Sequence, residues 1–243
     1  MNVVEPSLPL RAAASTRLER RPVTTKDFKI SPGGNRRVTA VDFVRESLMA
    51  AILRGDLPGG TRLVQTEIAN QLGVSTTPVR EAMRDLASVG LISLDTHRIG
   101  TVRQPDWAEM EEIVDVRRSL EGLALEWALE HITPAQLEEA RRLAEELAEE
   151  EDLGSWVQKN CDFHSIVHRA TATRRLGDFL VELESAGAMF VAQAQRLHPD
   201  IRQRAVADHY ALLEAFEKKD LEQAVRIQLE HINLPLESRR REE

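Results

Sequence analysis

The sequence predicts a mostly α-helical protein in two parts: a small helical unit closed by short strands, then a larger all-helical bundle. Three observations carry this. Ala, Leu, Glu and Arg are plentiful while aromatics make up 4% of the 243 residues, a composition that favours helix. Apolar residues recur at helical spacing beyond Thr39, and strand signals are confined to one short stretch. The charge also divides, with 15 basic and 10 acidic side chains in residues 1–105 against 17 and 30 in residues 106–243. A basic first part joined to an acidic second part points to two domains with different partners, despite the overall net charge of −8.

Residues 1–37 show no sustained periodicity and contain Pro6, Pro9, Pro22 and Pro32 with "SPGGNRR". They are expected to form a disordered tail whose Arg and Lys could graze a phosphate backbone. From Thr39, Val41, Val44, Leu48 and Ile52 repeat at helical spacing until "RGDLPGG" (54–60) ends the helix. "TEIANQLG" (66–73) is a short helix with Ile68, Ala69 and Leu72 inward and Gly73 at its end. "VSTTPVREAMRDLASVG" (74–90) is a third, begun by Ser75 or Thr76 and stopped by Gly90. "LISL" and "GTVR" then read as two strands around "DTHRI". Three helices, a tight "LGVS" turn and a hairpin make a winged helix-turn-helix over residues 38–105.

Beyond Pro105 the pattern is helical throughout. A helix is expected over about 106–130, and Thr133-Pro134 with Gln136 makes a capping box for the next. Further helices fall at about 154–172, 176–196, 200–218 and 220–234, the last announced by Asp220 with Gln223. Consecutive amphipathic helices imply an antiparallel bundle over residues 106–237. Cys161, the single cysteine, excludes an internal disulfide framework and fits a reducing cytosol. No apolar run approaches the roughly 20 residues that span a bilayer, and "LPLRAAAST" is interrupted by Arg11. A cytoplasmic protein without membrane contact is expected.

A helix with polar and basic residues on one face can enter a major groove, where its first residues reach base edges and phosphates. The third helix offers Ser75, Thr76, Thr77 and Arg80 at its start and Arg84 a turn later, leaving Val79, Ala82, Met83 and Leu86 to pack inward. His97 and Arg98 stand at the expected wing tip, placed to approach a neighbouring groove or phosphate. "LPGGTRLVQTEIANQLGVSTTPVREAMRDLASVGLISLDTHRIGTV" resembles the DNA-binding domain of GntR-family bacterial regulators. "DVRRSLEGLALEWA" and "FHSIVHRAT" resemble the FadR-type, or FCD, effector domain of that family. The resemblance covers about residues 40–235. It implies a homodimer that binds a short palindromic double-stranded operator and leaves it, or changes grip, when a metabolite binds; a repressor is expected, with an activator as the alternative. In one respect the chain departs from the pattern. The family usually has Arg after the Ser of "GVS", reading guanine, and Thr76 cannot reproduce that bidentate contact.

The bundle carries imidazoles on three helices. Asn160 and His164 are one helical turn apart on one face, His209 falls among Ala205, Leu212, Leu213 and Phe216, and His231 follows Ala224 and Ile227 at helical spacing. Each could be a packed structural histidine, but ligands converging from separate helices are how bundles build metal sites. The resemblance implies the latter. Many FCD domains hold a divalent metal through an Asp or Asn four residues before the His of "FH", that His, and two later ones. Here those positions are Asn160, His164, His209 and His231. Zn²⁺ suits imidazole best, with Ni²⁺, Mn²⁺ and Fe²⁺ as alternatives, and a small carboxylate effector is expected at the open positions. Asp162 should point away from His164, and Cys161 reads as a structural thiol. Arg117, at a position where the family often has an inward Arg, could pair with an effector carboxylate or with a neighbouring Glu. Two rival readings remain. One is a metal-free regulator sensing a larger ligand such as an acyl-CoA. The other is a metalloenzyme fused to a DNA-binding module, for which no placed general base is evident, so no enzymatic activity is expected.

Overall fold

The computed structural model describes residues 23–30, 39–95, 99–171 and 173–242. The first unit begins with α1 (Ala40–Arg54), where the Thr39 hydroxyl accepts the Asp42 N–H at 3.2 Å. There follow β1 (Arg62–Leu63), α2 (Gln65–Leu72), α3 (Thr76–Ser88), β2 (Ile92–Leu94) and β3 (Gly100–Val102). The strands form an antiparallel sheet in the order β1-β3-β2, with Arg62 opposite Thr101 and Ile92 opposite Val102. The expected two-stranded hairpin is therefore three-stranded, since β1 is too short to show a period. Gly73 ends α2 with φ at 67°, a left-handed turn that sends the chain straight into α3.

Residues 23–30 correct the expectation of a disordered tail. Thr25–Asp27 form a 3₁₀ turn, Thr24 bridges Arg62, and the buried Thr25 hydroxyl donates to Glu67 Oε2 at 2.7 Å. The N–H of the buried Ile30 donates to Gln71 Oε1 at 2.9 Å. The segment is a clasp on α2, and the bonds that hold it there are to residues far along the chain, so no local period announces it. Residues 1–22 and 31–37 of the expected tail, and both His97 and Arg98, lie outside the described residues.

The second part comprises α4 (Trp107–His131), α5 (Pro134–Glu149), α6 (Leu153–Arg169), α7 (Arg174–Leu197), α8 (Asp200–Lys218), α9 (Leu221–His231) and α10 (Leu234–Arg240). The Thr133–Gln136 capping box is formed in both directions, at 2.9 and 3.3 Å. Helix α10 was not expected from the sequence. At seven residues with a Pro in its first turn it has little helical tendency of its own. Burial of Leu234 and Leu236, the latter against Met110, Val114 and Phe190, holds it in place.

The two parts share one apolar core, because α1 lies on α6 and α7. At Gly154 a Cβ would stand 2.8 Å from the Ala50 Cα, so only glycine lets these helices approach so closely. Arg196 of α7 donates to the Leu53 carbonyl at the C-terminal end of α1, and Arg54 pairs with Asp152 at 3.3 Å. The platform that carries the imidazoles thus also seats the first helix of the DNA-binding unit.

Candidate functional site

Helix α6 repeats Asn160, His164 and His168 on one buried face. Helix α8 adds His209 from its apolar side, and α9 adds His231 as its last residue. The packing of these helices brings the three expected histidines together. His164 Nε2 is 3.0 Å from His231 Nε2 and 3.3 Å from His209 Nε2, and the three prospective ligand atoms lie within 4.8 Å of one another. Phe163 packs edge-on against His164, and the indole of Trp156 stacks on His209 with centroids 6.4 Å apart.

Burial, reinforced by the neighbouring imidazole of His231, pushes the pKa of both His164 and His209 well below the ordinary histidine value. The rings are neutral and offer lone pairs. The three Nε2 atoms cannot all satisfy one another, because His164 Nε2, whether it carries a proton or a lone pair, can bond only one of its two neighbours. A divalent cation fits them better: metal–nitrogen bonds of about 2.0–2.1 Å set adjacent ligand nitrogens roughly 3.0–3.4 Å apart. Asn160 Oδ1 is a buried acceptor without a donor, one turn before His164. Asp208 Oδ2 lies 3.2 Å from His231 Nδ1, the outer carboxylate that usually orients a ligating imidazole. Asp208, adjacent to His209 in sequence, thus turns toward His231.

Beside the histidines runs a buried charged chain. Arg117 Nε donates to Glu121 Oε1 at 2.8 Å, and Nη1 meets Glu184 Oε2 at 2.5 Å. His168 Nε2 contacts Glu121 Oε2 at 3.1 Å, and Asn160 Nδ2 donates to Glu184 Oε1 at 3.3 Å. Burial opposes ionisation of Glu121, but Arg117 and His168 outweigh it and hold the carboxyl far below the usual range. Arg117 therefore faces inward as expected, yet both edges of its guanidinium are already committed to carboxylates. It would reach an effector only by exchanging one of them.

A cavity of about 30 Å³ opens between Arg117, Asn160, Glu184, Gln195 and His231, room for a few waters. Glu184 and Gln195 were missed in the sequence. Both sit on the inward stripe of α7 with Leu180, Ala188 and Val191, and a charged group on an apolar stripe is itself a signal. The other candidates fall outside the site. Asp162 is exposed and accepts from Gln158 at 3.0 Å, and Cys161 lines a separate cavity against Met49 and Leu53 of α1.

On the first unit, Ser75, Thr76, Thr77 and Arg84 are exposed along α3 and Arg80 is half-buried. Ser75 stands at the N-cap but its side chain makes no capping bond, which leaves the hydroxyl free beside the first-turn amides. Val79, Ala82, Met83 and Leu86 are buried as the pattern requires.

Residues 40–102 match the gntR family of bacterial regulatory proteins, and residues 112–234 match the FCD domain. The chain belongs to the GntR family of transcriptional regulators, with an FCD effector domain. It is 36% identical over 143 residues to the "Probable D-xylose utilization operon transcriptional repressor" of Paenarthrobacter nicotinovorans. That match spans 58% of this chain and 63% of the relative. It is 29% identical over 185 residues to the HTH-type transcriptional regulator McbR of Escherichia coli (strain K12), covering 74% of this chain and 83% of that one. The solved structure of E. coli McbR/YncC superposes with a TM-score of 0.69 at 25% identity, covering 85% of this chain and all of that one. A GntR regulator from Rhodococcus sp. RHA1, at 21% identity and a TM-score of 0.63, shares the fold. These relatives are described as transcriptional regulators. No helix among the described residues of this GntR regulator is long and apolar enough to cross a membrane.

Proposed function

We propose that this GntR regulator is a metal-dependent repressor. Its α3 reads an operator, and its FCD domain binds a small carboxylate at a divalent ion held by Asn160, His164, His209 and His231. The observation that carries this reading is the convergence of three buried imidazoles from three helices, with Nε2 atoms 3.0 and 3.3 Å apart. Zn²⁺ is the first candidate, ahead of Ni²⁺, Mn²⁺ and Fe²⁺, because the donors are imidazole nitrogens. Such an ion supplies a positive centre that a carboxylate can neutralise. The neighbouring cavity favours a small effector over an acyl-CoA, which would need far more than about 30 Å³. Arg117 serves as a secondary contact that exchanges Glu184 for the effector.

The DNA-binding residues are Ser75, Thr76, Thr77, Arg80 and Arg84 on α3, joined by His97 and Arg98 of the wing. The functional unit is a homodimer. On α4, Val116 and Leu123 are seven residues apart and 40% and 41% exposed, and Phe179 on the adjoining α7 is 43% exposed. A second copy of the chain is the partner whose matching apolar face would cover them. Effector entry between α6, α7 and α9 shifts the seat of α1 at Gly154 and Arg196, and with it the α3 that packs on α1.

The test uses a duplex selected by the purified protein from a randomised pool. Operator affinity is measured by fluorescence anisotropy with Zn²⁺ bound and after chelation, across a panel of small carboxylates. A carboxylate that weakens operator binding only in the Zn²⁺-loaded protein supports the reading. Equal affinity in every condition refutes metal-dependent sensing.

A further inference from the structure

Asn160 is the weak point of the metal site, since a neutral amide is a poorer donor than a carboxylate and brings no charge. Its surroundings answer that deficit. An amide presents an NH₂ and an oxygen that can exchange places, and a carboxylate can only accept. Glu184 takes Asn160 Nδ2 at 3.3 Å, which leaves Oδ1 on the other side, buried and without a donor. Asn160 precedes His164 by one turn on the same buried face of α6. Glu184 is itself fixed, because Arg117 Nη1 holds its second oxygen at 2.5 Å and Arg117 is anchored in turn on Glu121. Two buried carboxylates, Glu121 and Glu184, thus face one guanidinium. An Asp at 160 would oppose Glu184 at hydrogen-bond distance, and the two could not both stay ionised at low cost.

We infer that Glu184 is a positioning residue for the metal site, orienting the Asn160 amide so that Oδ1 becomes a ligand and supplying from one sphere out the negative charge that Asn160 lacks. The inference rests on the proposed metal site. It explains how a chain with Asn in place of a carboxylate keeps a functional centre, by moving the charge from α6 to α7.

The test is Zn²⁺ affinity of the full-length protein, measured by competition with a chromophoric chelator, with Co²⁺ visible absorption as the second readout. In Glu184→Gln, Arg117 claims the new amide oxygen, so the NH₂ turns to Asn160 and draws Oδ1 away from the imidazoles. Zn²⁺ binding should weaken about 10–100-fold, the usual effect of losing an outer-sphere partner. Asn160→Ala should weaken it similarly and shift the Co²⁺ spectrum in the same way, and the Asn160→Ala/Glu184→Gln double variant should lose less than the two single losses combined, the remainder being the charge that Glu184 supplies directly. Asn160→Asp/Glu184→Gln moves the carboxylate back to α6 and should return affinity to within a few-fold of wild type, which also shows that Gln at 184 is tolerated by the fold. Additive losses in the double variant overturn the inference, as does failure of the charge swap to recover binding. If Asn160→Ala weakens binding while Glu184→Gln does not, Asn160 ligates unaided and Glu184 has no such role. Wild-type protein that binds neither Zn²⁺ nor Co²⁺ overturns the metal site itself.

Discussion

Acidifying the metal-free protein should destabilise it below about pH 6.5, and the histidine cluster sets the size of the effect. His164 and His209 are buried and held well below their ordinary pKa, first by desolvation and then by neighbouring imidazoles. Unfolded, each takes up a proton near pH 6.5; folded, it does so only at lower pH. Between these values the unfolded chain binds more protons, so stability rises with pH in that window and is flat above it. Each histidine contributes a slope that approaches about 1.4 kcal/mol per pH unit once its unfolded form is fully protonated. Together they cost on the order of 2 kcal/mol between pH 6.5 and 5.5, or roughly 4–8 °C in melting temperature for a chain of this size. Glu121 acts in a separate window. Its depressed folded pKa gives stability that is present above about pH 4.5 and lost only below it. Urea titrations of chelator-treated protein at pH 7.5, 6.5 and 5.5, followed by tryptophan fluorescence, would measure the slope, with Trp156 stacked on His209 as a local reporter. Equal stability at pH 6.5 and 5.5 would refute the neutral, desolvated cluster. So would an undiminished slope in a His164→Gln/His209→Gln variant.

Further outcomes follow from other parts of the molecule. Zn²⁺ at about 100 times its Kd should stabilise the wild type by about 2.7 kcal/mol at neutral pH, and His209→Ala should abolish that increment in the same titration. Leu123→Glu places a charge on the apolar face of α4 and should shift the protein toward monomer in sedimentation velocity. A dimer unaffected by it moves the interface elsewhere. Thr76→Arg should add a preference for guanine at one operator position, worth about 1–3 kcal/mol. Selection from a randomised duplex pool reads it directly, and an unchanged base preference would count against α3 as the reading helix. Gly154→Val forces α6 off Ala50, an overpacking that should cost about 1–3 kcal/mol, and operator affinity should fall with it if the seat of α1 positions the DNA-binding unit.

What the sequence made legible was whatever repeats locally. Helix α3 shows its apolar face and its polar start in consecutive turns, and α5 announces itself through the Thr133–Gln136 box. The three histidines could be assigned to inward faces for the same reason, since each stands at helical spacing from core residues. The elements that escaped are those defined by distant partners. Residues 23–30 owe their order to Glu67 and Gln71, β1 to Thr101 and Gly100, and α10 to Met110 and Phe190. The charged chain escaped for a related reason. Arg117 with Glu121 is a spacing that on a surface would be an ordinary pair of little energetic weight. Only the packing of α4 against α6 and α7 buries it and joins it to Glu184 and Asn160.

That packing also bears on how a signal could leave the site. A ligand changes operator affinity only through a difference in its interactions with two arrangements of the protein. Here the elements around the cavity and the elements under α1 are the same pieces of chain. Helix α6 meets α1 at Gly154 and carries Asn160 and His164 within the next three turns; α7 carries Glu184 and Gln195 and, in the next residue, the Arg196 that caps α1. A displacement of Gln195 by an entering effector moves the backbone that holds Arg196, with no intervening side-chain relay. Arg196 has no carboxylate partner among the described residues, and burial depresses its pKa, so its attraction to the carbonyl end of α1 is not shared with another anion. Arg196→Ala should therefore leave Zn²⁺ affinity intact while reducing the change in operator affinity that an effector produces. Anisotropy titrations with and without effector measure that difference, and full retention of the response in Arg196→Ala would place the coupling at another contact between α1 and the bundle.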